Sequence, residues 1–540
     1  MRKLAALIFT ATILLAGCTG ISSVAQAATT TATLTITPTT TLAAETSNNT
    51  SAANTFAGQS NGNLKASNVS KVSLKSVMYP GFSGKMYVHL MAWFGGSNHV
   101  NVGYQSDTAT QVQRQVNDMM SRGVDGAIVD YYGPNNSRSN NTTLLLRDEA
   151  AKHTGFQFAV MEDGGALQGC AKTAGCDLTS QLISDLTYIH DNFQNSSHYI
   201  TANGRPIVLF FNVERYGKID WTRVKSSVPG NPMLIEQNSS GFTYTASSGS
   251  FAWVMINSSN RNDIETSYLD GFYSTGLKYP AELTLGTAYK GFNDTIASWS
   301  ANRVMNQNCG QTWLATMAET AKYYSTTKQL ASMQIATWND YEEGTEIESG
   351  IDNCVGISAS ASGAQLNWNI TGNEKTVYQY TVFVSKDGQN LMKLADVASG
   401  THTLNVANYG LASGTYTFYV KAVGQPAMLN HMSGAVTTSI SGSDPAPSNT
   451  TTGSVSIASP TSNWTGNATS SVHVVANAVG TANRPITAMR VYVDNASMYA
   501  VSAANVDTYL KLAAGAHSVV VQAWDNAGYV YKTPVSITLK

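Results

Sequence analysis

The sequence predicts an α/β fold, a (β/α)8 TIM barrel, followed by two all-β sandwiches. Eight short apolar runs alternate with helix-like segments over residues 75–354, which is the pattern of a parallel sheet buried on both faces. After residue 354 the helical periodicity stops and strand alternation begins. Eight βα units in about 280 residues fit the usual size of this barrel.

The chain begins with the layout of an export signal. Arg2 and Lys3 precede an apolar run at 4–15, which is too short to span a bilayer. The run ends in Leu-Ala-Gly-Cys18, which resembles the lipobox of bacterial lipoproteins. This resemblance implies that residues 1–18 are a lipoprotein signal peptide and that Cys18 carries lipid, anchoring the protein to the cell envelope at the outer membrane. Secretion after cleavage behind Ala27 is the alternative.

The amino-acid composition limits the classes of ligand that the protein is expected to bind. The net charge is −2, from 32 basic and 34 acidic residues, which argues against nucleic-acid binding because phosphates demand a basic surface. Only 12% of residues are charged, so the surface is rich in neutral polar groups that suit a neutral polar ligand. Residues 19–74 are mostly Thr, Ser, Ala and Asn and are expected to form a flexible linker.

Five cysteines fit an exported protein. Apart from Cys18, the even set is Cys170, Cys176, Cys309 and Cys354, which predicts the disulfides Cys170–Cys176 and Cys309–Cys354 in an oxidising compartment. A zinc site is the alternative, but the spacings do not match paired CxxC knuckles. No HExxH, P-loop or dinucleotide fingerprint occurs, so we expect no cofactor and no catalytic metal.

The barrel elements follow one another along the chain. The predicted strands cover 86–92, 126–131, 156–161, 206–211, 233–236, 251–256, 283–288 and 333–337. The predicted helices cover 108–122, 144–153, 178–193 and 313–324. In the first of these helices Val112, Val116 and Met119 are spaced for one buried face.

The two sandwiches are predicted at 355–441 and 454–540, joined by a Pro/Ser/Thr linker at 442–453. Strand alternation occurs at 365–368, 378–384 and 415–423 in the first, and at 472–476, 488–493, 509–512 and 518–524 in the second. An early Trp368 and a late Gly-Thr-Tyr strand resemble a fibronectin type III domain. Residues 523–528 resemble the last hairpin of a bacterial immunoglobulin-like domain. Both sandwiches are therefore expected to be immunoglobulin-like.

The most informative stretch lies after the last barrel strand. Residues 340–348 contain five carboxylates, namely Asp340, Glu342, Glu343, Glu346 and Glu348. Active sites of this barrel lie at the C-terminal ends of the strands, and glycoside hydrolysis needs two carboxyl groups. A solvated acidic turn is the alternative, but interleaved aromatic residues favour a sugar site, because their rings stack on sugars.

This stretch resembles two families of glycoside hydrolases. Trp338-Asn339-Asp340-Tyr341-x-Glu343 resembles the signature of family 71, the α-1,3-glucanases or mutanases. The continuation Glu343-Gly344-Thr345-x-Ile347-Glu348 resembles family 99, the endo-acting α-mannosidases and mannanases. The resemblance implies an α-glycan hydrolase with Asp340 as base and Glu343 as general acid, although the residues between and after them depart from both motifs. Family 71 implies inversion, whereas family 99 implies retention with help from the substrate's 2-hydroxyl.

Other strand ends supply the predicted substrate contacts. These are Trp93, His89, Asp130, Tyr131, Glu162 and Glu236, together with Trp338, Asn339 and Tyr341 from the motif. For His89, a satisfied histidine inside the barrel is the alternative. We therefore expect a monomer that hydrolyses a polysaccharide substrate and attaches to the membrane only through its lipid. A non-catalytic surface glycan-binding lipoprotein is the alternative from another functional class.

Overall fold

A computed structural model describes residues 68–540 apart from 257–263, 265, 386–390, 410, 412, 442–452, 468–470, 482–483, 495, 502 and 526–529. The predicted signal peptide with Cys18, residues 19–67 of the first linker, and the linker at 442–452 lie outside the described residues. Residues 526–528 of the predicted last hairpin also lie outside them.

The α/β domain is a closed barrel of eight parallel strands, as the sequence predicted. The strands are β1 (Lys85–Met91), β2 (Gly126–Tyr131), β3 (Gln157–Asp163), β4 (Arg205–Phe211), β5 (Met233–Gln237), β6 (Gly249–Phe251), β7 (Leu283–Ala288) and β8 (Ser332–Ile335). Their order around the barrel is β3-β2-β1-β8-β7-β6-β5-β4, and a parallel pairing between β3 and β4 closes it.

Among the described residues, six longer helices cover the barrel. They are α1 (Ala109–Ser121), α2 (Ser137–Ala150), α3 (Leu178–Ile189), α4 (Trp221–Ser227), α5 (Ser267–Gly276) and α6 (Gln311–Ala318). Shorter turns lie at Leu74–Val77, Gly164–Leu167, Gln168–Ala171, His190–Gln194, Ser239–Thr243, Asn308–Gly310 and Glu319–Lys322. Short strands lie at Thr201–Ala202, Phe292–Asn293 and Val304–Met305.

Two boundaries differ from the sequence prediction for identifiable reasons. The α2 helix begins at Ser137 rather than 144 because the Asn136 side chain caps it, accepting from the Ser139 N–H at 3.0 Å. Its first turns are polar and lack apolar periodicity. The β6 strand, predicted at 251–256, ends at Phe251, although the next three residues, 252–254, are also buried. An apolar run therefore marks buried residues but does not show where the hydrogen-bonded strand pairing ends.

The strand registers divide the barrel residues into an inner and an outer set. The ring of His89 on β1 meets Trp253 beyond β6 with centroids 4.6 Å apart, so this face points into the barrel. In the ladder His89 is opposite Ile128, and Met91 is opposite Asp130. Because paired residues in a parallel ladder share a face, Asp130 points inward, one layer of side chains above His89.

The first sandwich has two sheets packed over Trp368, Tyr380 and Phe418. Its strands are β9 (Gly356–Ser362), β10 (Gln365–Thr371), β11 (Val377–Ser385), β12 (Met392–Ala398), β13 (Thr403–Asn405), β14 (Gly414–Gly424), β15 (His431–Met432) and β16 (Val436–Ile440), with short turns at Glu374–Thr376 and Val406–Tyr409. One sheet has the order β9-β10-β13. The other has the order β12-β11-β14-β15, with β16 also pairing with β14.

The second sandwich is also built from antiparallel pairs, apart from one parallel edge pairing. Its strands are β17 (Ser454–Ser459), β18 (Trp464–Gly466), β19 (Val472–Val479), β20 (Ile486–Val493), β21 (Ala496–Val501), β22 (Asn505–Leu510), β23 (Gly515–Asp525) and β24 (Val530–Leu539). The two sheets have the orders β17-β19-β22 and β18-β24-β23-β20-β21. Alternate valines and alanines of both sheets form its core.

The first sandwich is joined to the barrel by buried contacts. Trp313 Nε1–H donates to the Pro426 carbonyl at 3.0 Å, and the Leu429 N–H donates to the Ile351 carbonyl at 2.9 Å. Met428 is fully buried within the barrel's own apolar cluster. Part of the barrel core is therefore supplied by residues that follow the α/β segment in the chain.

Both predicted disulfides are present, joining Cys170 to Cys176 and Cys309 to Cys354. The second bond ties the segment before α6 to the segment that enters the first sandwich. No helix in the described part of the chain combines the length and apolar character that a membrane crossing requires.

Candidate active site

The acid turn, residues 337–345, follows β8 at the C-terminal end of the barrel. The Asp340 Oδ1 atom accepts hydrogen bonds from the N–H groups of Glu342 at 3.0 Å and Glu343 at 2.9 Å. The hydroxyls of Thr337 and Thr345 lie 2.9 Å apart, and Thr337 Oγ1 accepts from the Asp340 N–H at 2.8 Å. These bonds fix the backbone between the two predicted catalytic acids.

The loop after β7 rests against this turn. Gly344 has a φ of +60°, and a Cβ added there would lie 3.1 Å from the Asn293 carbonyl oxygen. The position therefore favours glycine on both conformational and steric grounds. The Asn293 N–H donates to the Glu343 carbonyl at 2.6 Å, so the two segments are held together at the predicted general acid.

Two further carboxyl groups, those of Asp130 and Asp163, lie at the same C-terminal opening of the barrel, which we call the mouth. Asp130 on β2 is opposite Met161 in the ladder, so Asp163, two residues further along β3, shares its inward face. Burial raises the pKa of Asp130, and the negative charges of Asp163, Asp340 and Glu343 raise it further. Charges that influence one another in this way are close neighbours. We refer to these four acids as the mouth acids.

Burial dominates the protonation of the mouth acids. It raises the pKa of Asp340, and the charge of Glu343 adds to the rise, while the two N–H donors oppose it. It raises the pKa of Glu343 to about 7, opposed by the positive charge of Arg303. It raises the pKa of Asp163 to about 6, opposed by the Gly165 N–H and Arg215. The mouth therefore retains protons near neutral pH, which a general acid requires.

Aromatic rings flank the mouth acids. Trp93, after β1, is half-buried and packs edge-on against Tyr132 with centroids 5.6 Å apart. It also stacks on His99 at 5.4 Å and an interplanar angle of 21°. The side-chain hydroxyl of Tyr132 bonds to Asp163. The predicted sugar platform Trp93 is therefore positioned beside the mouth.

The acids that were not assigned catalytic roles have structural partners. Glu342 accepts from the Val100 N–H at 3.2 Å and bonds to His99 Nδ1 at 2.9 Å. Glu346 pairs with the buried Lys290 at 2.8 Å. Glu348 is fully buried and accepts from the hydroxyls of Tyr104 and Tyr341 at 2.8 and 3.0 Å. Burial raises the pKa of Glu348 to about 7, opposed by these two donors.

Three predicted substrate contacts, Tyr131, Glu162 and Glu236, have side chains in the barrel wall and not at the mouth. Tyr131 is fully buried and donates to Asn140 on α2 at 2.9 Å. Glu162 is opposite Tyr131 in the ladder and is fully buried on the same outward face, near the charge of Asp185. Glu236 is opposite Ser250, on the face away from the inward Phe251. Strand alternation thus points these three side chains at the covering layer.

Three more predicted contacts, Trp338, Asn339 and His89, are fully buried. Trp338 is fully buried, and the Arg122 guanidinium lies 4.8 Å from its ring centroid. The fully buried Asn339 side chain bridges the Met91 N–H at 2.8 Å and the Met91 carbonyl at 3.0 Å, which ties the acid turn to β1. His89 forms the barrel floor with no exposed surface.

His89 nonetheless differs from a satisfied core histidine. Neither of its ring nitrogens has a hydrogen-bond partner among the described residues, and burial lowers its pKa to about 3. It is therefore neutral. Tyr341 remains half-buried at the mouth, with its hydroxyl committed to Glu348.

Three residues that line the mouth were not predicted from the sequence. Asp163 was passed over for its neighbour Glu162, and only the strand register distinguishes which of the two points inward. Tyr132 and Arg303 also act on the mouth acids. Tyr132 directly follows the β2 motif and was accessible to the same reasoning, whereas Arg303 lies in a loop without any sequence signal. Within the described residues no cluster of His, Cys, Asp and Glu has the arrangement of a metal site.

No family model matches the sequence, and no curated protein sequence matches it either. Among solved structures, the chain is similar to the GH99 endo-α-mannosidase from Bacteroides thetaiotaomicron in complex with Bis-Tris propane. That match has a TM-score of 0.39 and 15% identity, and it covers 49% of this chain and 87% of that one. A second structure of that enzyme matches with a TM-score of 0.37 and 14% identity, over 49% and 87% of the two chains.

The chain is also similar to the fibronectin(III)-like modules of CbhA from Clostridium thermocellum. The TM-score is 0.16 at 19% identity, over 34% of this chain and 94% of that one. The closed ring of parallel strand pairings in the barrel defines the fold of the α/β domain.

Proposed function

We propose that this protein is a glycoside hydrolase that cleaves an α-linked polysaccharide, either α-1,3-glucan or α-mannan. The observation that carries the proposal is that Asp340 and Glu343 lie together on the acid turn, whose backbone is fixed by hydrogen bonds, at the mouth of the barrel. They are electrostatically coupled there to each other and to Asp130. A pair of carboxyl groups is the usual requirement for cleaving a glycosidic bond.

The raised pKa of Glu343 supports its role as the general acid, whereas the role of Asp340 as the base follows from the motif, because burial raises the pKa of Asp340 as well. Glu343, with its pKa raised to about 7 by burial, is suited to give its proton to the leaving glycosidic oxygen as the bond to the anomeric carbon breaks. Asp340 is the base, and its orientation is set by the two N–H groups that it accepts from. It removes a proton from the attacking water in an inverting reaction, or from the substrate's 2-hydroxyl in a retaining one.

The aromatic neighbours support a sugar as the ligand. Trp93 offers a half-buried ring beside the mouth acids, and such a ring can lie against the C–H face of a pyranose.

The proposal is tested by incubating the purified protein separately with α-1,3-glucan and α-mannan and measuring new reducing ends. We expect reducing ends from one of the two, and none from the Asp340→Asn, Glu343→Gln double variant. Binding of a glycan without any new reducing ends would instead support a non-catalytic glycan-binding protein.

We also propose that the protein is exported and lipid-anchored through Cys18. The support is the Leu-Ala-Gly-Cys sequence after the apolar run at 4–15. Membrane fractionation of cells that express Cys18→Ala tests this. The variant is expected in the soluble or secreted fraction, and equal membrane association would contradict the anchor.

A further inference from the structure

Two large apolar side chains are unusually exposed on the loop that follows β7. Ile296 is 63% exposed and Trp299 is 52% exposed. Both belong to residues 294–303, which we call the tryptophan loop. A tryptophan buries most of its surface in a typical folded protein, and neighbouring apolar side chains in water commonly mark a binding surface.

The tryptophan loop is held in shape by Asp294. This side chain, which has no exposed surface, accepts from Ser300 Oγ at 3.0 Å and from the Arg303 N–H and Nε at 2.7 Å each. Ala297 is buried on the inner side of the loop. The Ala297 N–H donates to the Asp294 carbonyl at 3.0 Å. The exposure of Trp299 therefore belongs to a fixed conformation, with the small side chain turned in and the large ones turned out.

Both ends of the tryptophan loop border the proposed general acid. Asn293, just before the loop, donates its N–H to the Glu343 carbonyl at 2.6 Å. Arg303, at the far end, is close enough to Glu343 for its charge to oppose the effect of burial on that carboxyl group. Trp299 lies five positions after Asp294, so their Cα atoms are at most about 17 Å apart even if the chain were extended. Trp299 thus lies within a few sugar units of the mouth acids.

We propose that Trp299, on the same loop as the exposed Ile296, forms an aromatic subsite that binds a pyranose ring of a polysaccharide chain extending out of the mouth. This inference rests on the proposed function, because it assigns a second contact to the same substrate. It makes the enzyme selective for long chains over short glycosides. A subsite outside the mouth gains binding only when the substrate reaches it.

The surroundings of the ring favour sugar over a lipid surface or a protein. The exposed polar side chains on either side of Trp299 in the tryptophan loop, Ser298 and Asn302, are uncharged, which suits the hydroxyl edge of a pyranose. Its single cation, Arg303, is paired with Asp294, so the loop lacks the basic cluster that anionic lipid attracts. A tryptophan ring supplies a broad apolar face at little conformational cost.

The test compares polymer binding with short-substrate turnover. Trp299→Ala is expected to bind α-mannan or α-1,3-glucan, whichever the wild type binds, about tenfold more weakly, a loss typical of one aromatic anchor. Affinity electrophoresis suits the soluble polymer, and depletion from solution suits the insoluble one. Turnover of a short aryl glycoside should be unchanged. Trp299→Tyr, which keeps a ring, should retain most of the binding.

Two matched variants sharpen the result. Tyr509→Ala removes a side chain that is 65% exposed on the second sandwich and should leave polymer binding unchanged. Asp294→Ala loosens the tryptophan loop while keeping Trp299, and it should weaken polymer binding in a protein whose thermal unfolding shows it to be folded. Because Trp299 is exposed, its own replacement should alter unfolding little.

The outcomes separate this inference from the proposed function. Polymer binding that is equal in the wild type and Trp299→Ala would overturn the subsite, and so would an equal loss in Tyr509→Ala. If the wild type binds polymer through Trp299 but releases no reducing ends, the subsite stands and the hydrolase proposal fails. A wild type that binds neither polymer would overturn the subsite.

Discussion

Replacing the mouth acids with their amides separates catalysis from folding. Asp340→Asn can keep an oxygen that accepts from the N–H groups of Glu342 and Glu343, now at 3.0 and 2.9 Å. Each such bond contributes about 1 kcal/mol, so the acid turn should persist. The amide cannot exchange a proton. We therefore expect Asp340→Asn and Glu343→Gln each to lower kcat by roughly 10²–10⁴-fold, which corresponds to about 3–5 kcal/mol in the barrier.

Two neighbouring glutamates provide matched controls. Glu342→Gln keeps an acceptor for the Val100 N–H and weakens only a partly exposed pairing with His99, a loss of at most about 1 kcal/mol. Glu346→Gln leaves Lys290, which is 2% exposed, without its anionic partner. It should destabilise the fold by about 1–3 kcal/mol while leaving kcat of the folded fraction nearly unchanged.

The assay measures kcat for the four variants on one α-glycan, with thermal unfolding recorded on the same preparations. The expected result is that kcat and unfolding respond to different residues. Glu343 and Asp340 should control kcat, and Glu346 should control unfolding. A larger loss of kcat in Glu342→Gln or Glu346→Gln than in the two proposed catalytic variants would refute the assignment of roles.

Three further predictions follow from burial and packing. Because burial raises the pKa of Glu343 to about 7, kcat/KM should fall as the pH rises above 7 and the acid loses its proton, and a pH–rate profile checks this. Glu348 has a pKa raised from 4.5 to about 7, so its stabilising contribution is complete below pH 4.5 and is lost as the pH rises through 7. Glu348→Gln, which can still accept from both tyrosines, should flatten the fall in unfolding midpoint across that window, a difference of at most about 3 kcal/mol, and an unchanged slope would contradict it. A chain that ends after Ile440 should keep the proposed hydrolytic activity. A chain that ends after Cys354 should unfold at a lower temperature, because it lacks the buried Met428. Equal thermal stability of the two chains would show that the barrel does not need the first sandwich in order to stay folded.

The core of the barrel includes residues from outside the α/β segment predicted at 75–354. The change from α/β to all-β patterning after Cys354 suggests that the barrel ends there and folds independently. The structure instead buries Met428 in the barrel cluster and bonds Trp313 to the Pro426 carbonyl. A pattern along the chain marks where the secondary structure changes, but it does not show which distant segment completes a core.

The sequence by itself determined the fold class, the two disulfide partnerships and the position of the acid turn. These follow from local features, because apolar runs bounded by turns define strands, an even cysteine set defines pairing candidates, and a cluster of acids after the eighth strand lies at the catalytic face of a barrel. The tertiary structure alone decided which side chains reach the mouth. Asp163 and Glu162 are adjacent in the chain and chemically alike, yet only Asp163 joins the mouth acids, because successive side chains of a strand point to opposite faces and the register fixes which face is inward. The exposure of Trp299 could not be predicted from the sequence either, because the exposed fraction of a side chain depends on which other parts of the chain pack against it.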